Sequence, residues 1–294
     1  MAGGELRRAA KGEARRAARK AAPWLELLAR LGYAMRGAVY GTLGLLALLA
    51  ALGQDGGRTS DARGAVQYLA SLPSGTALLI AATIGLVGHG VWRLLEGLLN
   101  PRGYDNDARG FGKRFSRFVA GWVNIGLGTY AWAALNGGPP VDGEDAADDA
   151  ARLVMGLPLG QLLLGAAGLA AAGLGIGLIY LAVSGNLARA LRRDGIPPRP
   201  LRVLTIAGQA GSTARGAVFL LVGALLVRAA FLAKPEETVG LRGALDAIRR
   251  GPFGTAVLAA VAAGFIMYAG YCVLAALYRR LAIPGMGESD GPLS

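Results

Sequence analysis

Histidine and cysteine each occur once in this chain, as His89 and Cys272. A single thiol excludes an intramolecular disulfide framework and a cysteine-based zinc site. A single imidazole excludes a multi-histidine metal centre within one chain. Lysine is scarce as well: Lys11, Lys20, Lys113 and Lys234 are four of 31 basic residues. None of them falls in a long apolar run, which argues against a retinal-type Schiff base. Charged residues make up 17% of the 294, against 53% apolar, and mean hydropathy is +0.43. That is too apolar for an ordinary soluble domain. Glycine is abundant at 47 but follows no G-X-Y period, so collagen is excluded.

What the chain does have is long apolar runs. About 20 such residues cross a bilayer as a helix, and six stretches qualify: 27–52, 76–99, 115–136, 158–184, 206–232 and 254–281. An even number of spans puts both termini on one side. Basic residues then choose the side: 21 fall on the face shared by the termini, eight on the other, with Arg36 and Arg215 inside spans. The expectation is a bacterial plasma (inner) membrane protein with cytoplasmic N and C termini. The acidic run Asp142, Glu144, Asp145, Asp148 and Asp149 is then external. The net charge of +12 reflects the inner loops and a basic, alanine-rich N-terminal tail. That tail reads as a solvated arm near anionic headgroups. No aromatic residue interleaves with its charges before Trp24, which argues against a specific nucleic-acid partner. Residues 31–50 are too long for a signal-peptide core and recur later in the chain, so they read as a span.

The recurrence is extensive. Arg36-Gly37-Ala38-Val39 reappears as Arg215-Gly216-Ala217-Val218 at an offset of 179. The same offset carries Arg63-Gly64-Ala65 onto Arg242-Gly243-Ala244, Pro73-Ser74-Gly75 onto Pro252-Phe253-Gly254, and Gly85 onto Gly264. A weaker middle copy matches Pro158 and Gly160 to Pro73 and Gly75 at offset 85, and Gly121-Trp122 to Gly32-Tyr33 at offset 89. Each repeat reads as helix, external loop, short amphipathic helix, Pro-x-Gly turn, helix. The short helices are expected at 61–72, with Ala62, Val66 and Leu69 on one face, and at about 239–250, with Leu241, Leu245 and Ile248. They are expected to lie apolar face down at the membrane interface. Proline is suited to the first turn of the next helix and glycine to a sharp redirection.

The fold class expected is an all-α membrane protein. Six transmembrane helices form three hairpin repeats of one orientation, closing with pseudo-threefold symmetry about the membrane normal. The parts are a tail (1–24), repeat one (25–100), a cytoplasmic linker (101–114), repeat two (115–187), a second linker (188–203), repeat three (204–281) and a flexible C-terminal tail (282–294).

The stretch Arg30-Leu31-Gly32-Tyr33-Ala34-Met35-Arg36-Gly37-Ala38-Val39-Tyr40, the Arg63-Gly64-Ala65 to Pro73-Ser74-Gly75 segment, and Gly85-Leu86 through Trp92-Arg93-Leu94-Leu95-Glu96 carry a resemblance. Over residues 25–281 the chain resembles the bacterial domain-of-unknown-function family 1206, whose members hold three copies of a two-helix membrane repeat. The resemblance implies a fold and a location and no established activity. Ser212 stands where the first copy has Tyr33, and the second copy lacks the arginine of the Arg-Gly pair.

Charges within spans are costly and each needs an account. Arg36 lies about 9 Å beyond Arg30 along the helix. It either snorkels back to the headgroups or shares a role with Arg215 facing a polar cavity or a lipid phosphate. His89, Trp92, Arg93 and Glu96 fall on one helix face. Arg93 and Glu96 are expected to pair. His89 reads as a buried hydrogen-bonded residue or as a proton relay, and Tyr268 stands at its position in the third copy. Glycine steps such as Gly37-x-x-x-Gly41 and Gly173-x-x-x-Gly177 are expected to be close-packing surfaces. No P-loop, nucleophile elbow or deep carboxylate pair is found, so no catalytic, cofactor or metal residue is assigned and an enzyme is not expected.

Two functions remain. One is a channel or small-solute transporter, best suited to an anion at Arg36 and Arg215, with His89, Tyr268, Arg93 and Glu96 as further candidates. The other is a non-transporting scaffold or accessory subunit that binds lipid or partner helices. Expected partners are membrane lipids, anionic at the cytoplasmic face, an anionic small molecule and a second copy of the chain. Convergence of the arginines on a wet cavity favours transport, and a dry axis favours the scaffold.

Overall fold

A computed structural model of the chain describes residues 27, 30–55, 57–99, 107–138, 143–193, 196–233 and 240–278. They form α1 (Arg30–Ala51), α2 (Ala62–Ala70), α3 (Gly75–Leu99), α4 (Ala108–Leu135), α5 (Gly143–Met155), α6 (Gly160–Val183), α7 (Asn186–Arg193), α8 (Pro198–Leu232), α9 (Leu241–Arg250) and α10 (Gly254–Tyr278), with no strand among the described residues. Helices α1, α3, α4, α6, α8 and α10 are each long and apolar enough to cross a bilayer. Large apolar side chains lie open on them, among them Leu169 (67% exposed), Trp122 (56%) and Phe231 (89%). Water does not tolerate that much exposed apolar surface and lipid does. The chain is an all-α, multi-pass membrane protein.

Two helices begin well before the expected spans. α4 starts at Ala108 rather than 115, and α8 at Pro198 rather than 206, where Pro197 flanks it and Pro198 occupies the first turn. Hydropathy marks the part of a helix that lipid covers, while polar residues extend the helix beyond it. Arg114, in the α4 extension, donates from Nε to the Gly97 carbonyl (3.0 Å) and from Nη2 to that of Leu98 (3.1 Å). It thereby satisfies carbonyls that the end of α3 leaves open. The expected linker 188–203 holds most of α7 and the start of α8. The expected tails, 1–24 and 282–294, lie outside the described residues.

The chain divides into two compact units. One gathers Met1–Met35, Ala81–Tyr130 and Arg280–Ser294, and the other Arg36–Ile80 and Ala131–Arg279. In the first, the start of α1 and the whole described run of α4 up to Tyr130 pack antiparallel on α3. Gly85 meets Leu31, and Gly90 meets the carbonyl of Gly121. In the second, α6 packs on α8, α8 on α10, and α10 on α1.

The repeat is built into these contacts. A Cβ on Gly216 would stand 2.7 Å from the carbonyl oxygen of Gly175, and one on Gly223 2.6 Å from that of Gly168. On α1, Gly37 faces the Ala269 carbonyl at 3.2 Å and Gly44 faces Ile266. On α4, Gly121 faces the Gly90 carbonyl at 2.9 Å and Gly128 faces Val87. The first helix of every copy therefore carries two glycines seven residues apart, each seated on the second helix of another copy. This corrects the register of the middle copy. Gly121 corresponds to Gly37 and Gly216, not to Gly32, so Ala120 stands at the arginine position. It also corrects the expected spacing, because Gly41 makes only an ordinary contact at 3.5 Å. Gly173 and Gly177 pack against nothing within 4 Å. Their neighbour Gly175 makes the seam instead, since residues two apart point to different faces of a helix.

The short helices follow the expected pattern and add α5 in the middle copy. Asp61 caps α2 by accepting from the Gly64 amide at 2.8 Å. Ala65, Val66 and Leu69 of α2, and Ala244 and Leu245 of α9, are buried in protein. α5 touches both α2 and α9, and the Thr59 hydroxyl donates to Asp246 of α9 at 2.6 Å. These helices pack on one another rather than resting separately on lipid. In the turns that follow, the left-handed conformation falls on Leu159 (φ 64) and Phe253 (φ 56), not on the glycine. Glycine is needed because the turn folds back on the preceding helix: a Cβ at Gly254 would stand 2.6 Å from the Arg249 carbonyl carbon. Pro73, likewise, stands two residues before α3 rather than within its first turn.

Candidate functional site

Arg215 lies midway along α8, about 26 Å from either end at 1.5 Å per residue. Its guanidinium carbon sits 4.3 Å from the ring centroid of Tyr268 and 5.4 Å from that of Tyr40. The two rings meet edge to face at 4.8 Å. Three elements build this cluster. Gly211 of α8 lets α10 approach at Tyr268, and Gly37 of α1 lets α10 approach at Ala269 and Cys272. Tyr40, one turn beyond Arg36, then reaches the same space. Phe265 braces Tyr40 edge on at 5.7 Å, Tyr271 stacks on Tyr268 at 5.7 Å, and Tyr268 shares a hydrogen bond with the Cys272 thiol. Arg36 and Arg215 are close enough to feel each other's charge.

Cation–aromatic contacts of this kind are worth up to about 2 kcal/mol when water is excluded. They do not replace hydrogen bonds. The Nε atom of Arg215 is enclosed and has no acceptor. Arg36, Tyr40 and Arg215 each keep part of their surface accessible. Among the described residues, the electrostatic surroundings of Arg215 are Tyr268, Tyr40, Arg36 and Cys272, and no carboxylate is among them. The cluster gathers the Arg215 guanidinium, two aromatic rings and an enclosed Nε donor without an acceptor among the described residues, with Arg36 near enough to add its charge.

A second constellation sits on α3 and α4. Glu96 is 2% exposed and accepts from Nη1 of Arg93 at 3.2 Å and from Nη1 of Arg117 at 2.7 Å. The Nε of Arg93 donates to Nε2 of His89 at 3.3 Å. In that contact Nε2 of His89 is the accepting atom. Tyr33 meets the imidazole edge on at 5.2 Å. Among the described residues one carboxylate thus accepts from two guanidiniums.

Residues 31–100 and 210–279 each match the family described as Domain of Unknown Function (DUF1206). The matched stretches begin 179 residues apart, the offset of the ungapped repeat. The uncharacterized protein YxxB of Bacillus subtilis (strain 168) is 31% identical over 267 residues, covering 88% of this chain and 93% of that one. The chain belongs to the DUF1206 family. No solved structure matches it.

Within this DUF1206 chain the six candidate residues fall into two groups. Arg36, Arg215 and Tyr268 come together around α10, and His89, Arg93 and Glu96 come together on α3. The equivalence of His89 and Tyr268 holds locally, since each lies against the matching glycine, Gly32 or Gly211. Where the first copy pairs Tyr33 with His89, the third has Ser212 and Tyr268, so the tyrosine moves from one helix to the other. Sequence reasoning did not single out Tyr40 or Arg117. Tyr40 had a signal, lying four residues after Arg36 on the same face. Arg117 had none, because only the packing of α4 on α3 brings it to Glu96.

Proposed function

We propose that this DUF1206 protein binds a small anion within the membrane and works as an anion channel or transporter, not as an enzyme. The observation that carries the reading is Arg215. A cation is costly in hydrocarbon unless it is paired, and this one, midway along its helix, has an enclosed donor with no protein acceptor. Arg36, its repeat counterpart, lies close enough to repel it. Two like charges are held near each other at a cost that a bound anion offsets. The location proposed is the bacterial inner membrane with both termini cytoplasmic, on the basic-residue asymmetry, with anionic lipid at that face. The test is anion efflux from liposomes holding the purified protein. Efflux that Arg36→Ala and Arg215→Ala each reduce by tenfold or more supports the reading. No efflux above empty liposomes contradicts it.

One observation favours the scaffold reading. Gly173 and Gly177 lie open on α6 with nothing against them, and such a face suits a partner helix or a second copy of the chain. A partner-dependent protein without efflux, whose assembly is lost in Gly177→Leu, would support that alternative.

A further inference from the structure

We infer that the anion held at Arg215 is an oxyanion, a group presenting two oxygens side by side, as in a phosphate, sulfate or carboxylate, and not a halide. The inference rests on the anion reading above and names its ligand class. A guanidinium has two kinds of surface. Its flat faces attract aromatic rings, and its edges carry five N–H donors in a fixed plane. At Arg215 the rings of Tyr268, at 4.3 Å, and Tyr40, at 5.4 Å, stand nearly perpendicular to each other on one side of the guanidinium carbon. The edge includes Nε, which is enclosed and donates to no acceptor among the described residues. Nε and the adjacent Nη donate in parallel. Parallel donors match two coplanar oxygens of one ligand, the bidentate arrangement by which arginine recognises carboxylate and phosphate. A halide offers one centre and leaves one of the two donors unmatched.

The surroundings point the same way. Tyr40 and Tyr268 hold each other edge to face at 4.8 Å. Phe265 and Tyr271 brace them from outside, so the rings beside the guanidinium are held in place before the ligand arrives. Arg36 supplies a second positive charge nearby, which suits a ligand bearing more than one negative charge. The middle copy has Ala120 and Asn124 where the others have arginine and an aromatic residue, with Asn124 donating to the Ala120 carbonyl at 2.6 Å. That copy therefore adds no cation.

The oxyanion chemistry has two sources, free phosphate or the phosphate of an anionic lipid, and the experiment separates them. Full-length protein is placed in nanodiscs of zwitterionic lipid, and binding of radiolabelled inorganic phosphate is measured in competition with sulfate and with chloride. In parallel, native mass spectrometry measures retention of phosphatidic acid. Sulfate is expected to displace phosphate while chloride at equal ionic strength does not. Arg215→Lys keeps the charge and loses the edge, and is expected to weaken the oxyanion about ten- to hundredfold while leaving chloride unchanged. Gly177→Ala, which lies outside the cluster and meets open space, is expected to retain binding, which controls for folding. Binding of phosphate without phosphatidic acid assigns a free anion, and the reverse assigns a lipid headgroup. Either supports the inference when it depends on Arg215. Chloride competing as well as sulfate, or Arg215→Lys binding phosphate as tightly as the parent, overturns it and leaves the anion reading standing. Absence of binding of any of these probes overturns both.

Discussion

Glu96 accepts from two guanidiniums, while the Nε of Arg215 donates to none, and the difference decides how each responds to substitution. The Glu96 carboxylate is enclosed at the seam of α3 and α4, with its charge matched at 2.7 Å by Arg117 and at 3.2 Å by Arg93. Breaking a buried pair by removing one partner costs about 3 kcal/mol or more, because the other charge stays behind. Glu96→Gln removes the negative charge from beside two guanidiniums at once. Arg93→Gln leaves Arg117 in place, and Arg93 is itself partly exposed. Thermal unfolding in detergent is therefore expected to show a clearly larger loss for Glu96→Gln. Equal losses would mean that the Arg117 contact contributes little. The pairing of Arg93 with Glu96 was legible from their i,i+3 spacing on one helix. The shared role of Arg36 and Arg215 was suggested by their repetition. The Tyr40 contact was not legible, because its counterpart in the third copy is Phe219 and the aromatic character alone does not say which way a ring turns.

Elements in this chain are joined through glycine seams, and the seams explain which glycines matter. Gly175 and Gly216 face each other, and a Cβ on either would enter the other's carbonyl at 2.6 or 2.7 Å. Neither backbone has room to move, because Gly168 and Gly223 lock the same pair of helices seven residues along, one on each side. In lipid no hydrophobic force compensates for a gap between helices, so close backbone approach is the main source of their adhesion. Gly175→Ala and Gly216→Ala are each expected to destabilise the protein strongly, by about 2 kcal/mol or more on the scale of overpacked cores. Gly177→Ala, two residues from Gly175, meets open space and is expected to be neutral or slightly stabilising, since alanine is the better helix former. Unfolding in detergent against a denaturing surfactant ranks the three, and comparable losses at 175 and 177 would contradict the seam. The sequence presents Gly173, Gly175 and Gly177 with equal weight. Only the contact of α6 with α8 says that the middle one is the seam.

At the scale of the whole molecule, six apolar helices and a DUF1206 relationship make this a multi-pass membrane protein. The orientation proposed for it rests on the excess of basic residues toward the termini, a bias that sets topology during insertion. With Cys272 replaced, a cysteine at residue 145 is expected to react with an impermeant thiol reagent applied to intact cells, and one at residue 109 to react only after lysis. The reverse pattern would turn the proposed orientation over and move the face proposed to meet anionic lipid with it. The number of spans, their apolar character, and the 179-residue repeat of the first and third copies were determined by the sequence alone. Hydrophobic run length and ungapped identity need no knowledge of neighbours. The register of the middle copy, the two-arginine coordination of Glu96 and the aromatic clamp on Arg215 were decided by tertiary structure. Each depends on which residue of one helix lies opposite which residue of another, and that pairing is set by interlocking backbones at the glycine seams, across separations in sequence where no periodicity reaches.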